Sequence, residues 1–139
     1  MNVLVDTSVW SLALRRKAQN LNATETAVVA ELSQLIREGR TRLIGLVRQE
    51  LLSGIRDSGQ YEKLRNTLRA FPEEEASLAD YEAAAKAGNA CRARGIAVSV
   101  SDMLICALAM AREWAIFSTD PDFKKYAKIL PIQPHTPRR

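Results

Sequence analysis

Asp6, Glu50, Asp102 and Asp120 are the residues of this sequence whose types and spacing are best suited to chemistry. Asp6 follows directly on the apolar run Asn2-Val3-Leu4-Val5, and Asp120 follows Ala115-Ile116-Phe117-Ser118 after a single threonine. Asp102 stands in the first turn of the most apolar helical pattern, the one that leads into that second run. Glu50 lies one turn into a helical pattern that follows Arg42-Leu43-Ile44-Gly45-Leu46. Each acid also has a plainer explanation. Asp6 suits a helix N-cap, Asp102 suits the positive end of a helix dipole, and Glu50 suits a solvated flank paired with an arginine.

The chemistry follows if the strands run parallel, because acids at their carboxyl ends then emerge on one edge of the sheet, where open α/β folds bind ligands. Two carboxylates about 5 Å apart repel by roughly 3 kcal/mol at an effective dielectric near 20. Several together must take up protons or bind a cation. An all-oxygen donor set suits Mg²⁺ or Mn²⁺. A cation held this way activates water and binds phosphate oxygens, which is the logic of metal-dependent nucleases. The only histidine, His135, lies in a Pro-rich tail, which argues against a Ser-His-Asp triad, a histidine base or a zinc hydrolase. Cys91 and Cys106 lack metal-ligand spacing and read as small buried hydrophobes. The net charge of +4 and a pI near 9.3 are compatible with a polyanionic partner.

The elements that must position these acids are legible in the hydrophobic periodicity. Strands are expected at Asn2–Val5, Arg42–Leu46 and Ala115–Ser118, with an edge strand at Ile129–Ile132. Helical patterns cover Ala23–Gly39, Val47–Ile55, a stripe through Tyr61, Leu64, Leu68 and Phe71, Leu78–Arg94, and the stretch from Ser101 through Trp114. Thr24 is placed to start the first of these and Gly39 to end it. Glu31 falls off its apolar face, Gly54 is expected to leave space beside Glu50, and Pro72-Glu73-Glu74-Glu75 reads as a solvated acidic turn or helix start and not a metal site. Strands alternating with helices predict an α/β fold with three α/β/α layers and a mainly parallel central sheet. At 139 residues with 47% apolar composition the chain predicts one domain over residues 1–132, with a flexible tail over 133–139. Met1 leads straight into a strand and no run approaches a membrane span, so a cytoplasmic location with no membrane association is expected.

Four stretches in order resemble the PIN-domain family, and size and layout are similar to its VapC-type toxins. They are Val3-Leu4-Val5-Asp6-Thr7-Ser8, Arg48-Gln49-Glu50-Leu51-Leu52-Ser53-Gly54, Asp102-Met103-Leu104-Ile105-Cys106-Ala107 and Ser118-Thr119-Asp120-Pro121-Asp122-Phe123. The resemblance covers nearly the whole chain. It implies a Mg²⁺-dependent ribonuclease, with Mn²⁺ as a substitute, acting on RNA and paired with a cognate antitoxin. It further implies that Asp6, Glu50, Asp102 and Asp120 form the catalytic and metal-binding site, with Asp6 and Asp102 the principal ligands. Asp122 then either supports the ligands from behind or is structural, and Thr7 or Ser8, with Thr119, orients carboxylates or water. The family also implies a homodimer, for which Tyr61, Leu64, Leu68 and Phe71 offer either a contact surface or ordinary core. An antitoxin tail would place an arginine at Asp6 or Asp102 and apolar side chains beside Trp10 and Leu51.

Other classes fit less well. A non-catalytic PIN-like module binding RNA or protein, or a housekeeping nuclease, remains the alternative within the family. A response-regulator domain needs an acidic pair after the first strand, where Thr7 and Ser8 stand. A haloacid-dehalogenase-type phosphatase needs an acid at Ser8.

Overall fold

The computed structural model describes residues 1–138. Three short strands make the centre of the sheet: β1 (Val3–Val5), β2 (Thr41–Ile44) and β4 (Ala115–Phe117). Every residue of β1 and β4 is buried, as expected of strands covered on both faces. With the outer strands β3 (Glu73–Glu74) and β5 (Gln133–Pro134), all pairings are parallel, in the order β3-β2-β1-β4-β5, with Val3 opposite Thr41 on one side and Ala115 on the other. The chain therefore builds outward from β1 through β2 to β3, then crosses back to lay β4 on β1's other flank. The strand order reverses between β1 and β4, which is where open α/β sheets leave a crevice at their carboxyl ends.

Helices α1 (Thr7–Leu14), α2 (Ala23–Arg37), α3 (Gly45–Leu52) and α4 (Ser58–Leu68) belong to the first two crossovers. Helices α5 (Leu78–Ala93) and α6 (Val100–Arg112) pack on one another in the return crossover, and α7 (Asp122–Tyr126) follows β4. Right-handed crossovers running in opposite directions put these sets on opposite faces of the sheet, giving the three layers expected. Leu4, Trp10, Leu35, Leu51, Leu68, Ile105, Leu108 and Phe117 are among the largest fully buried side chains. Cys91 and Cys106 are buried free thiols, and burial, with the charge of Asp102, pushes Cys106 up to about 12.

Several local expectations change. Helix α2 starts at Ala23 as expected, but its cap is Asn22, where Asn22 and Glu25 each accept the other's backbone N–H; Thr24 plays no part. Helix α3 stops at Leu52, and Gly54 adopts a positive φ of 85° beyond its end, so it serves the turn and not the space beside Glu50. Glu73–Glu74, expected as a turn or helix start, forms β3 against Leu43 and Ile44. The stripe through Leu64 and Leu68 faces the core, and Phe71 meets Trp10 edge-on at 5.1 Å, so only Tyr61 of that set is exposed. Trp10 and Leu51 are likewise core residues, 1% and 0% exposed, and do not line a groove.

The tail is the largest correction. Ile129–Ile132 forms no strand; instead Gln133–Pro134 is β5, paired with β4, and the His135 N–H donates to the Ile116 carbonyl. The reason lies on α2. Glu31 is only 5% exposed, contrary to its place on the helix's polar face, and a buried carboxylate needs partners. His135 Nε2 shares a hydrogen bond with it, and the Arg138 guanidinium bridges Glu31 and Glu38. Burial opposes ionisation of Glu31, but the bonds with His135 and Arg138 outweigh it and hold the carboxyl below its usual range.

Candidate active site

The crevice between β1 and β4 is lined from both strands. Asp6 leaves β1 at the N-cap position of α1 with an extended backbone, yet its side chain makes no cap hydrogen bond. Its carboxylate Oδ2 instead accepts hydroxyl hydrogen bonds from Ser8 and from Ser118, each 2.8 Å long. The Ser118 residue follows β4, so this pair of bonds ties the carboxyl ends of the two strands together. The Thr119 N–H donates to Ser8 Oγ at 3.0 Å and the Asp120 N–H to Ser118 Oγ at 3.0 Å, continuing the network into the turn. Asp120 Oδ1 accepts the Asp122 N–H at 2.9 Å, which sets the turn into α7. Asp6 is 7% exposed, and the capping explanation does not describe what its carboxylate does.

Asp102 approaches from the opposite layer. Capping of α6 falls to Ser99, whose Oγ accepts the Asp102 N–H at 3.1 Å, leaving the Asp102 carboxylate free of that task. Its Oδ2 accepts the Tyr126 hydroxyl at 2.7 Å. Burial raises the Asp102 pKa; the bonds from Tyr126 and Ser99 oppose this, and the charges of Asp6 and Asp120 add to it. Glu50, on α3, is shifted upward too, first by desolvation of its carboxyl and then by the charge of Asp6, against the pull of the Thr7 hydroxyl. The electrostatics thus link Glu50, Asp6, Asp102 and Asp120 in one negative field.

Among the described residues, the carboxylates that converge most tightly are Asp102, Asp120 and Asp122, each able to bring an oxygen within 4.8 Å of the other two. All three are partly buried. Asp122 stands in this cluster beside Asp120, while Asp6 lies outside it and acts on Asp102 and Glu50 through its charge. Ser8 makes the carboxylate contact expected of Thr7 or Ser8, whereas the buried Thr7 Oγ1 lies close enough to Glu50 to lower its pKa but makes no hydrogen bond of standard geometry. Thr119 contributes its backbone rather than its hydroxyl. Ser118 and Tyr126 were not anticipated. Ser118 had a readable signal in its place at the end of a buried strand, but nothing in the sequence marks one tyrosine as a carboxylate partner.

The PIN domain family model matches residues 3–129, which contain all of these groups. The chain belongs to the PIN-domain family. It is 30% identical over 135 residues to "VapC ribonuclease Mb1587" of Mycobacterium bovis and equally to "Ribonuclease VapC11" of Mycobacterium tuberculosis, in both cases across 94% of this chain and 96% of the relative. Among solved structures it is similar to that of VapBC2 from Rickettsia felis bound to a DNA fragment from their promoter, with a TM-score of 0.76 at 14% identity, covering 97% of this chain and 98% of that one. FitAcB from Neisseria gonorrhoeae gives a TM-score of 0.69 at 22% identity, covering 97% of each chain. The acidic crevice of this chain lies at the β1/β4 switch point, inside the matched residues.

Proposed function

We propose that this protein is a divalent-cation-dependent endoribonuclease that hydrolyses RNA phosphodiester bonds and acts as the toxin of a type II toxin–antitoxin pair. One observation carries the reading: three carboxylates converge beside a fourth and a fifth in a PIN-domain chain whose curated relatives are named ribonucleases. The donor set fits Mg²⁺ or Mn²⁺, with Asp102, Asp120 and Asp122 as the holders. Octahedral Mg²⁺ wants ligand oxygens about 2–2.1 Å from the ion, which partly exposed carboxylates within 4.8 Å of one another reach by a small contraction. Such a cation, when bound, neutralises phosphate oxygens and makes water a better nucleophile.

The chain's own residues supply the rest. Asp6, locked by the hydroxyls of Ser8 and Ser118, presents its other oxygen, Oδ1, at a fixed position. The upward shift of Glu50 suits a carboxylate that takes a proton from the attacking water. Hydrolysis then puts the water oxygen on phosphorus and breaks one P–O bond, and the leaving oxygen takes up a proton from solvent. The Asp6, Glu50, Asp102 and Asp120 set is thus retained as catalytic, with Asp122 added.

The partner site moves from the buried Trp10 and Leu51 to a groove of about 670 Å³ at the far end of α1, where Leu14, Ile55 and Leu64 form an apolar floor between Arg15, Arg56 and Lys63. That mixture suits an amphipathic antitoxin segment with acidic residues along one side. Exposed Leu78, Tyr81 and Val100 make the face proposed for a homodimer. No helix of the described residues is long and apolar enough to cross a membrane, and the proposed location is the cytoplasm. The deciding experiment is cleavage of cellular RNA by the purified protein, which is expected to vanish with EDTA and return with Mg²⁺ or Mn²⁺. Undiminished cleavage in EDTA overturns the carboxylate–cation reading.

A further inference from the structure

Tyr126 is a core residue by its ring and an active-site residue by its hydroxyl. It is 1% exposed, and its ring meets Phe123 edge-on at 5.3 Å. A buried phenol needs a hydrogen-bond partner, and a nearby backbone carbonyl would have served. Its partner here is the carboxylate of Asp102, on a different helix, at 2.7 Å.

The position of that bond gives it a role. The three converging carboxylates come from two elements that meet only by packing: Asp102 from α6, Asp120 and Asp122 from the turn and first residue of α7. Among the described residues, the Tyr126–Asp102 bond is the one side-chain hydrogen bond between α6 and the segment 120–126. It fixes one oxygen of Asp102 and ties the α6 half of the cluster to the α7 half. We infer that Tyr126 is a positioning residue that preorganises Asp102 and the α7 carboxylates to hold the divalent cation. The inference rests on the metal-dependent reading proposed above and adds to it a residue that never touches substrate.

The bland alternative is a core tyrosine that happens to find a carboxylate, and the two make different predictions for Tyr126→Phe. That substitution keeps the ring and removes only the hydroxyl. Partners of this kind behind a ligand typically contribute tenfold to hundredfold in metal affinity. Mn²⁺ alone, titrated calorimetrically into the full chain, is therefore expected to bind Tyr126→Phe roughly tenfold or more weakly, with the metal-free melting temperature little changed. RNA cleavage is expected to fall at limiting Mn²⁺ and to recover at saturating Mn²⁺. Phe123→Leu serves as the packing control: it loosens the same ring contact, keeps the hydroxyl, and is expected to retain near wild-type Mn²⁺ affinity. Unchanged Mn²⁺ affinity in Tyr126→Phe overturns the inference, as does an equal loss in Phe123→Leu. Failure of Tyr126→Phe to fold overturns it too, since the tyrosine is then a core strut. If the wild-type chain binds no Mn²⁺, the nuclease reading falls as well; if wild type binds and cleaves and the variant matches it, only the role of Tyr126 is lost.

Discussion

Replacing Asp102 with asparagine should stabilise the metal-free protein while destroying its response to metal. The carboxylate oxygens of Asp102, Asp120 and Asp122 lie within 4.8 Å of one another, so each pair repels by about 3.5 kcal/mol at an effective dielectric of about 20 and by about 0.9 kcal/mol in bulk water. The groups are partly exposed, which places each pair at about 1–2 kcal/mol between those limits. Asp102→Asn removes two such pairs and also the burial of an anion, the leading cause of that residue's upward shift. Against this, the first turn of α6 loses a favourable negative charge worth about 0.3–1 kcal/mol. The amide oxygen can still accept from Tyr126. The balance is a gain of about 1–3 kcal/mol, or about 3–9 °C in melting temperature for a domain of this size. Differential scanning fluorimetry in EDTA and in millimolar Mg²⁺ reads both terms: the variant should melt above wild type in EDTA, lose the Mg²⁺-induced rise, and cut no RNA. A fall in the metal-free melting temperature would refute the argument, because Asp102 would then be a structural hydrogen-bond acceptor and not a strained ligand.

Two further outcomes test other parts of the molecule. Arg112 donates to both oxygens of the buried Asp80 at 3.1 and 3.2 Å, so Arg112→Met should cost about 1–3 kcal/mol in urea unfolding and leave RNA cleavage by the folded protein intact. The Arg112 bonds hold Asp80 at about 2, below its ordinary 3.8. Its stabilising contribution is therefore complete above about pH 4 and is lost as pH falls through about 2, and the variant should show a shallower loss of stability over that acid range. Val100, 83% exposed and two residues before Asp102, lies on the proposed dimer face; Val100→Arg should shift light scattering from dimer to monomer, and a wild-type monomer at micromolar concentration removes the dimer.

The centre of the fold was readable because burial on both faces makes β1 and β4 continuous apolar runs, and each run ends at an acid. A parallel sheet then follows from strands alternating with helices, and the charge of Asp6 acts on both Glu50 and Asp102. What was hidden depended on distant partners. Glu31 looked like a solvated helix residue because nothing local says that His135 and Arg138 return to it from the end of the chain. Gln133–Pro134 and Glu73–Glu74 carry no strand pattern, since two residues against an existing strand need only backbone complementarity. Asp122 was given a lesser role than Asp120 because spacing along the chain cannot show that the turn at Pro121 brings both carboxylates round to Asp102. Tyr126 was invisible for the same reason.

The two short outer strands have a further consequence. An exposed strand edge is a template on which another chain can add a strand, for recognition or for aggregation. Here one outer strand is the pair Glu73–Glu74, whose side chains engage Arg48, Arg42 and Arg112, and the other is Gln133–Pro134, in which the proline offers no N–H. Neither rim presents more than two residues of backbone. Strand addition is thus closed at both sides of the sheet, and a protein partner has to find its affinity on helical surfaces and in side-chain grooves. The same blunting guards a sheet of two- to four-residue strands against pairing with its own copies.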